Sequence, residues 1–454
     1  MQAIILAAGA SKRMRSKTPK FLQPVLGQPL IGYVVQAALG GGASDITLVV
    51  SPGGKAAVSA ALPENTKINY AVQEVPMGTG HAVKSALPQI KPDENVLVLL
   101  GDMPLVTSDF VREFVDFFVS NNCTGLIAAF KPKEIGDLGR VYADDDGIFT
   151  KIIESRDIKP DDEQIPYANT GVMMFKGAAL IDALGKLTND NSQGEYYFTD
   201  VPRIIRETDK NNNVRVFYSQ EDESVFTGIN TQVQLAEAVA HMRRRINNQH
   251  MLNGVRIIAP DTVFIDHAAE IAPDVVIYPG CIIEGASKIA EGAILSMNTH
   301  VIDSIIHQGV KLESSVLIEA EVGAGSTIGP FAYLRPGTKI GEKCRIGNFV
   351  EVKNSTIGNN TNAAHLAYIG DADVGSRVNY ACGAITANYD GKKKHRTKIG
   401  DGAFVGSNVN LVAPVTVGED SIVAAGSTIT DDMPGHSLGI ARSRQTTKEN
   451  WTPK

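Results

Sequence analysis

Aliphatic residues recur at every sixth position through much of the second half of the chain. A lasting period of six fits neither the 3.6-residue period of a helix nor the alternation of a single strand. Three short strands per turn, each with one inward aliphatic side chain, produce it, so the pattern predicts stacked coils of a triangular prism. Two blocks carry the period: Ile271, Ile277, Ile283, Ile289, Leu295 and Val301, then Ile399, Val405, Leu411, Val417, Val423 and Ile429.

A third block lies between them, and its period is interrupted. Three residues are predicted to be inserted between Val301 and Val310, one is missing after Val352 and another after Ile369, and the segment 386–398 abandons the period. The period matches the hexapeptide repeat of the left-handed parallel β-helix. Breaks in a solenoid usually carry function, which disfavours a mere scaffold or trimerisation stalk. The block contains Val310, Val316, Val322, Ile328, Leu334, Ile340, Ile346 and Val352.

Polar residues cluster beside these breaks. Arg335 and Lys353 each follow an inward aliphatic residue and stand eighteen apart, so they are predicted to stack on adjacent coils. Two stacked cations suit a phosphate group, although both side chains can also be simply solvated. His365 suits a general base but is by itself more often structural. Within two coils of it stand Tyr368, Asn379, Asn388 and Tyr389.

The segment AYIGDADVGSRVNYACGAITANYDG, with the sequence around HLAYIG, resembles the acetyltransferase half of the bifunctional GlmU family. Members acetylate glucosamine 1-phosphate and then uridylylate the product to UDP-N-acetylglucosamine. The resemblance implies that His365 is the general base and that Arg335, Lys353, Tyr368 and Asn379 hold the amino-sugar phosphate. It implies acetyl-CoA contacts at Cys382, Asn388, Tyr389, Ser407, Ala425 and Arg442.

Two features of this half stay open. The chain has Ala381-Cys382 where relatives tend to have Gly-Ala. A backbone N–H near Cys382 is expected to polarise the thioester carbonyl, and a backbone donor would tolerate that change. The basic run Lys392 to Lys394 is either a solvated loop or a contact for the phosphates of CoA.

The first half begins with an apolar run, Ala3 to Ala8, that turns at Gly9 into a loop with Lys12 and Arg13. A strand, a glycine turn and a basic loop bring backbone N–H groups and cations to phosphates. The GxGxxG and Walker patterns are absent. A second apolar strand, NVLVLL, ends at Asp102, where α/β sheets bind ligands, although an acidic residue there can also cap a helix.

The motifs LAAGASKRM, TPK, MGTG, LLGDMPL, KIIE, YANTGVMMF, EYYFTD and GINT resemble, in order and spacing, the sugar-nucleotidyltransferase half of the same family. The resemblance implies that Asp102 and Asn230 bind Mg²⁺. Arg13 or Lys20 would neutralise charge as the sugar phosphate attacks the α-phosphorus of UTP and pyrophosphate leaves. Nucleotide contacts are implied at Leu6, Ala7, Ala8, Gly9, Arg13, Lys20, Gln73, Gly78, Thr79, Leu100 and Gly101, and sugar contacts at Gly139, Glu154 and Asn169. The chain departs from the family pattern at Ser11-Lys12 and at Leu100.

Two domains and a connecting helix are expected, because 454 residues exceed what one core usually serves. The residues Leu235, Val239, Met242 and Ile246 form one apolar helical stripe in segment 231–253. We therefore predict an α/β Rossmann-like nucleotidyltransferase domain over 1–230, a helical arm over 231–253, and a left-handed β-helix with a C-terminal tail over 254–454. Arg243, Arg244 and Arg245 are expected to be solvated.

Composition restricts the partners. A formal net charge of −7 and a pI near 5.8 argue against nucleic acid. Four scattered cysteines without a CxxC pair argue against a zinc site and a disulfide framework. Neither a signal peptide nor a bilayer-spanning run is found, so we expect a cytoplasmic enzyme.

Family β-helix acyltransferases build their sites between subunits, which predicts a homotrimer around the faces that carry Tyr368 and segment 386–398. Two alternatives remain at this point. One is a sugar-nucleotide pyrophosphorylase whose β-helix serves regulation or assembly. The other is a non-enzymatic β-helix scaffold, for which Asp102 and Asn230 would have no purpose.

Overall fold

A computed structural model describes residues 1–9, 12–62, 67–136, 138–154, 157–158, 165–191, 193–208 and 213–451. The chain divides into two compact units, Met1–Met242 and Arg243–Lys454. Ser11 lies outside the described residues, and so does the side chain of Lys12. The predicted order, an α/β sheet followed by a parallel β-helix, is confirmed.

The first unit is built on one mixed sheet with the strand order β11-β7-β10-β6-β1-β4-β5, to which β8 and β9 are added. The strands of the sheet are β1 (Gln2–Ala7), β4 (Asp45–Val50), β5 (Ile68–Val72), β6 (Asn95–Leu100), β7 (Gly125–Phe130), β8 (Arg140–Ala143), β9 (Phe149–Ile153), β10 (Ala168–Lys176) and β11 (Val214–Tyr218), and β2 (Pro24–Val25) and β3 (Gln28–Pro29) form a separate pair. The helices are α1 (Leu30–Gly40), α2 (Gly54–Ala61), α3 (Thr79–Ser85), α4 (Ser108–Ser120), α5 (Gly177–Lys186) and α6 (Val201–Thr208). A further helix, α7 (Gln232–Leu252), begins in the first unit and ends in the second.

Strand β1 lies in the interior of this sheet, and every one of its residues is buried. It pairs in parallel with β4 on one side and β6 on the other, and helices cover both faces, which explains its unbroken apolar run. The Gly101 N–H donates to the Leu6 carbonyl at 2.9 Å. The carboxyl ends of β1 and β6 therefore adjoin, which brings Gly9 and Asp102 to the same edge of the sheet.

The second unit consists of short parallel strands stacked on three faces. In chain order they are β12 (Arg256–Ile257), β13 (Phe264–Ile265), β14 (Glu270–Ile271), β15 (Val276–Ile277), β16 (Ile282–Glu284), β17 (Lys288–Ile289), β18 (Ile294–Leu295), β19 (His300–Ile302), β20 (Ile305–Ile306), β21 (Lys311–Leu312), β22 (Val316–Ile318), β23 (Glu321–Val322), β24 (Thr327–Ile328), β25 (Tyr333–Leu334), β26 (Lys339–Ile340), β27 (Arg345–Lys353), β28 (Thr356–Ile357), β29 (Asn362–Gly370), β30 (Ala372–Val374), β31 (Asn379–Tyr380), β32 (Ile385–Ala387), β33 (Thr397–Ile399), β34 (Phe404–Val405), β35 (Asn410–Val412), β36 (Val415–Val417), β37 (Ile422–Val423), β38 (Thr428–Ile429) and β39 (Leu438–Gly439).

The first face carries β12 and β15, the second β13 and β16, and the third β14 and β17, and the pattern repeats upward. The two long strands, β27 and β29, run across the corner between the first and second faces. The aliphatic residues of the two regular sequence blocks form a continuous core inside the prism.

The structure corrects the spacing predicted between Val301 and Val322. No three-residue insertion occurs in this fully described stretch; instead the coils shorten by one residue at a time. Val310 is buried at a corner, and Val316 is only half-buried beside the inward Leu317. Adjacent aliphatic residues such as Val316-Leu317 offer two registers one residue apart, and packing against neighbouring coils decides between them. The inward residues here are Ile306, Leu312 and Leu317.

A column of glycines follows the inward residues at the corner after the third face. A Cβ on Gly341 would lie 2.9 Å from the carbonyl carbon of Gly358, and a Cβ on Gly358 would lie 2.5 Å from that of Gly375. These carbons belong to the backbone of the next coil, so no side chain can move aside. The close approach of the coils therefore requires glycine at Gly323, Gly341, Gly358, Gly375, Gly400 and Gly418.

The expectation that the three arginines near the unit boundary are solvated is wrong for Arg243. Its guanidinium pairs with Asp261 at 3.1 Å and lies over the Phe264 ring at 5.2 Å. Only 15% of the Arg243 side chain is exposed, whereas Arg244 is exposed. None of the described helices, α7 included, has the length and apolarity needed to cross a bilayer.

Replacing Gly358 by alanine should destabilise the β-helix by about 1–3 kcal/mol, because the new methyl group forces backbone atoms apart. The measurement is urea unfolding followed by circular dichroism. Ala290→Gly is the control, since Ala290 stands at the same corner of an earlier coil and should lose only about 0.5–1 kcal/mol through backbone entropy. Equal losses in the two variants would contradict the steric explanation of the glycine column.

Candidate functional site

A cavity of about 340 Å³ opens at the carboxyl ends of β1 and β6 in the first unit. Nine of the predicted nucleotide-site residues line it: Leu6, Ala8, Gly9, Lys20, Gln73, Gly78, Thr79, Leu100 and Asp102. Four further residues that the sequence did not single out complete the wall: Phe21, Pro76, Ala82 and Glu195. Phe21 follows the predicted contact Lys20 directly, and Glu195 is the first residue of the EYYFTD motif. The sequence therefore offered a signal for these two residues.

Three polar side chains meet at one wall of this cavity. The Lys20 ammonium lies 2.5 Å from the Asp102 carboxylate and 3.1 Å from the side-chain oxygen of Asn230. Lys20 is buried and lies 5.2 Å from the centroid of the Phe21 ring, which limits its contact with water. Asp102 caps no helix; its backbone carbonyl accepts from the Ile229 N–H at 2.9 Å, which holds it against Asn230. The two predicted metal ligands therefore converge on one positive charge.

Gln73 and Gly78 form another part of the cavity wall. The Gln73 side-chain NH₂ donates to the Gly78 carbonyl at 3.1 Å and lies 3.2 Å from Nδ1 of His81. Gly78 has φ 97°, and a Cβ on it would lie 2.6 Å from the Tyr196 carbonyl oxygen. Only glycine fits this position, so the MGTG motif is explained by close backbone approach at the start of α3.

The three predicted sugar contacts lie together, next to the cavity. The Asn169 N–H donates to the Gly139 carbonyl at 2.9 Å, and a Cβ on Gly139 would be 3.7 Å from the Glu154 carboxylate. Glu154 accepts from the Thr199 hydroxyl at 2.6 Å. The neighbouring Phe198 N–H donates to the hydroxyl of Thr79 in the cavity wall. These contacts connect the sugar residues to the cavity.

Three of the predicted nucleotide contacts do not line the cavity. Ala7 is buried in β1, and Gly101 is held against Leu6 by its N–H. Arg13 is exposed in a short 3₁₀ turn, Lys12–Met14, and is not among the lining residues. Among the described side chains, Lys20 is therefore the cation at the cavity wall. Its position favours Lys20 over Arg13 as the residue that neutralises phosphate charge.

The second unit presents its polar cluster on the second face. Arg335 and Lys353 follow the register pair Leu334 and Val352, so they occupy equivalent places on adjacent coils. Arg335 pairs with Glu351 at 2.8 Å, which raises the pKa of the guanidinium. The sequence did not predict this ion pair, in which a carboxylate from the same chain accompanies Arg335.

Lys353 has a different environment. The Lys394 ammonium beside it, together with desolvation, lowers the pKa of Lys353. Asp371 lies nearby, and it accepts from the side-chain amides of Asn354 at 2.6 Å and Asn388 at 2.5 Å. Burial alone would raise the pKa of Asp371, but these hydrogen bonds and the two ammonium groups outweigh it, so the pKa is lowered. Asp371 therefore joins Lys353 to the loop that carries Asn388 and Lys394.

The corner between the first and second faces carries the other predicted residues. The Leu366 carbonyl accepts from Gly383, the Cys382 carbonyl from Asn408, and the Ser407 carbonyl from Gly426, at 2.8–2.9 Å. The Arg442 guanidinium donates to the Ala425 carbonyl at 2.6 Å. His365, directly before Leu366, thus lies at the foot of one exposed column: Cys382, Ser407, Ala425 and Arg442.

The His365 side chain is exposed, and its Nδ1 lies 2.9 Å from the side-chain oxygen of Asn348. Tyr368 lies over Gly370, the register partner of Lys353. Asn379 belongs to the first face, around the corner from Arg335 and Lys353.

Two residues of the loop 386–398 complete the predicted set. Asn388 is buried against Asp371, while Tyr389 is 60% exposed. The predicted residues therefore lie on two faces of one prism rather than in one enclosed cavity.

Comparison with known proteins gives matches in both halves. A family model described as MobA-like NTP transferase domain matches residues 3–202. The model described as Bacterial transferase hexapeptide (six repeats) matches residues 319–354 and 396–431. A protein called Bifunctional protein GlmU from Clostridium botulinum (strain 657 / Type Ba4) is 42% identical over 456 residues, covering 100% of this chain and 98% of the relative.

Two other relatives have the same name and similar coverage. The protein from Geobacillus sp. (strain WCH70) is 44% identical, over 100% of this chain and 97% of its own length. The protein from Caldanaerobacter subterraneus subsp. tengcongensis is 45% identical, over 99% of this chain and 97% of its own length. The similarity is thus continuous through both units.

Proposed function

The chain belongs to the GlmU family of bifunctional proteins, and from that premise we propose which residues perform each of its two reactions. It acetylates glucosamine 1-phosphate with acetyl-CoA and transfers UMP from UTP to the resulting N-acetylglucosamine 1-phosphate, releasing pyrophosphate. Whole-chain similarity to relatives of that name carries this assignment. It disfavours both the single-function pyrophosphorylase and the scaffold.

For uridylyl transfer, the supporting observation is the convergence of Lys20, Asp102 and Asn230 at the cavity wall. A carboxylate and an amide oxygen are hard donors that suit Mg²⁺. Among the described residues no cluster of three or more His, Cys, Asp or Glu side chains forms a metal site. Asp102 and Asn230 would therefore supply two ligands and leave the others to phosphate oxygens and water. When bound, Mg²⁺ would neutralise charge on the transferring phosphate.

The chain's own groups account for the rest of this step. Lys20 supplies a cation, already at the wall, that can turn from Asp102 to a phosphate oxygen of UTP. The other cavity residues predicted for nucleotide binding would hold the uridine, and Gly139, Glu154 and Asn169 the N-acetylglucosamine moiety. The protein contributes little covalent chemistry to such a transfer. Catalysis therefore depends on positioning the substrates and neutralising their charge.

For acetyl transfer, we assign His365 as the base that takes a proton from the sugar amine as its nitrogen attacks the thioester carbon. The C–S bond then breaks, and CoA leaves with a proton as the free thiol. Among the described residues none accepts a hydrogen bond from the Cys382 N–H, so it can donate to the developing oxyanion. Acetyl-CoA would lie along the column of Cys382, Ser407, Ala425 and Arg442, next to Asn388 and Tyr389.

The sugar phosphate would bind at Arg335 and Lys353, with Tyr368 and Asn379 completing the pocket. Lys394 strengthens this proposal, because an anion between the two ammonium groups would relieve the repulsion that lowers the pKa of Lys353. The basic run 392–394 is thereby assigned in part to the sugar phosphate rather than wholly to CoA.

The hexapeptide repeats fit an oligomer, and we propose a homotrimer. The acetyl-transfer residues of one chain lie on two faces of its prism, so neighbouring copies would close the site between them. We place the enzyme in the cytoplasm, where UTP and acetyl-CoA are made and where free thiols such as the four described cysteines persist.

UTP with Mg²⁺ should raise the melting temperature of the first unit by several degrees, since ligand at 100 times its Kd stabilises by about 2.7 kcal/mol. Asp102→Asn should lose most of this shift. Asp109→Asn, an exposed carboxylate of the same unit, should keep it. A full shift in Asp102→Asn would remove Asp102 from the metal site.

Thiol release from acetyl-CoA should require both glucosamine 1-phosphate and His365. His365→Ala should lower it by at least about 100-fold while uridylyl transfer stays intact, because a general base contributes about 10²–10⁴-fold. Undiminished release would exclude His365 as the base.

Light scattering on the same preparations should give a mass of three chains, and an active monomer would contradict the trimer.

Lys394→Gln should raise the KM for glucosamine 1-phosphate by about tenfold, equivalent to about 1.4 kcal/mol, through loss of one cation. The pKa of Lys353 should rise toward its ordinary value in this variant. Lys392→Gln is the control, since Lys392 is exposed in the same loop and should leave the KM unchanged. Equal increases in KM in the two variants would indicate general charge attraction instead of a phosphate-binding site beside Lys353.

A further inference from the structure

We propose that Asn348 is a positioning residue for acetyl transfer, whose amide oxygen holds the His365 imidazole with its proton on Nδ1 and its lone pair on Nε2. The inference rests on the proposed role of His365 as the base. It concerns how that ring is prepared to accept a proton, which the family resemblance did not address.

The hydrogen bond fixes the tautomer. Asn348 Oδ1 lies 2.9 Å from His365 Nδ1, and an amide oxygen can only accept. Nδ1 must therefore carry a hydrogen, and in the neutral ring the free lone pair is on Nε2. Within the described part of the chain, no other hydrogen bond and no ion pair reaches the His365 ring. Nε2 is thus left facing solvent, where a substrate amine can approach.

The backbone is built to bring these two residues together. The strands of the β-helix have two or three residues, except for β27 and β29, which have nine and continue across the corner. Their register places Asn348 opposite His365. A Cβ on the preceding Gly347 would lie 2.0 Å from the Ala364 carbonyl oxygen, so glycine is required for this approach.

The chain turns at this corner through residues in the left-handed conformation. Phe349, after Asn348, has φ 57°, and Leu366, after His365, has φ 37°. Asn298, Phe331 and Asn408 adopt the same conformation at the equivalent corner of other coils, so the turn belongs to the β-helix and is not specific to this pair. Because the turn follows Asn348 and His365 directly on two successive coils, it keeps the two residues in register.

An amide suits this task better than a carboxylate. Both accept from Nδ1–H, but a carboxylate would stabilise the imidazolium, and a protonated ring cannot act as a base. Glu351, on the same strand, does not replace Asn348, because it pairs with Arg335. Asn348 thus orients the ring without adding charge.

Asn348→Ala should lower kcat for acetyl transfer by about 10–100-fold, by analogy with the loss seen when a partner that orients a metal-bound histidine is removed. KM values for both substrates should change less than about twofold. Asn348→Asp should recover most of kcat at high pH, because it restores the acceptor, but should move the acid limb of the kcat profile to higher pH. Asn410→Ala, which removes another side-chain hydrogen bond between coils, should keep both kcat and the profile.

Unchanged kcat in Asn348→Ala, with activity lost in His365→Ala, would overturn this inference and leave the proposed function standing. Retained activity in His365→Ala would instead refute the proposed base itself. Should Asn348→Ala fail to fold by circular dichroism, Asn348→Asp decides: a wild-type pH profile in that variant would exclude contact with the ring.

Discussion

The parallel hydrogen-bonded register between successive coils is the constraint on which the second unit depends. Each backbone N–H on a face reaches the coil above or below, so residues separated by one coil become direct neighbours. The register aligns Asn348 with His365 and the neighbours of Arg335 with those of Lys353. It also removes the space for any side chain in the glycine column. The glycine column, the corner that carries Asn348 and His365, and the candidate site thus all depend on the same repeated pairing between coils.

The two units solve the problem of binding phosphate groups differently. In the first, Asp102 and Asn230 come together at the sheet edge, and the buried Lys20 neutralises the Asp102 carboxylate and donates to the Asn230 amide oxygen. In the second, cations stand on an open face: Arg335 forms an ion pair with Glu351, and the Asp371 carboxylate lies near Lys353. The Arg335–Glu351 pair holds the guanidinium in place and can be exchanged for a substrate anion. An open face also admits a neighbouring copy of the chain, whereas the cavity of the first unit is formed within one chain.

The fold was largely predictable from the sequence because inward aliphatic residues at a fixed period leave few alternatives. The regular blocks from Ile277 and from Ile399 were predicted correctly. The stretch around Val316 was predicted one residue out, because adjacent aliphatic residues satisfy two registers and only three-dimensional packing selects one. Glycine after an inward residue was visible in the sequence, but its cause, the backbone of the next coil, was not.

The candidate sites were less predictable, because their partners come from distant coils or strands. Nothing in the local sequence links Glu351 to Arg335, or Lys394 to Lys353. The same limit applies to Lys20, whose contact with Asp102 spans 82 positions. Arg13 has the same charge and stood closer to the glycine turn, yet it is exposed and off the cavity. Residue type identified candidates, whereas burial and register distinguished between them.

Shortened coils and one added loop surround the candidate site of the second unit. Val352 to Ile369 and Ile369 to Thr386 are each one residue shorter than a regular coil, and segment 386–398 then adds residues before Ile399. The missing residues lie after Val352 and after Ile369, at the corner that leads to the third face, whereas β27 and β29 cross the corner between the first and second faces, where the spacing of six is kept. At that corner His365 is exposed beside Asn348, and the added loop brings Asn388 to Asp371 and Lys394 to Lys353. The longest departure from the period of six is therefore the part of the sequence that places additional polar side chains on the second face.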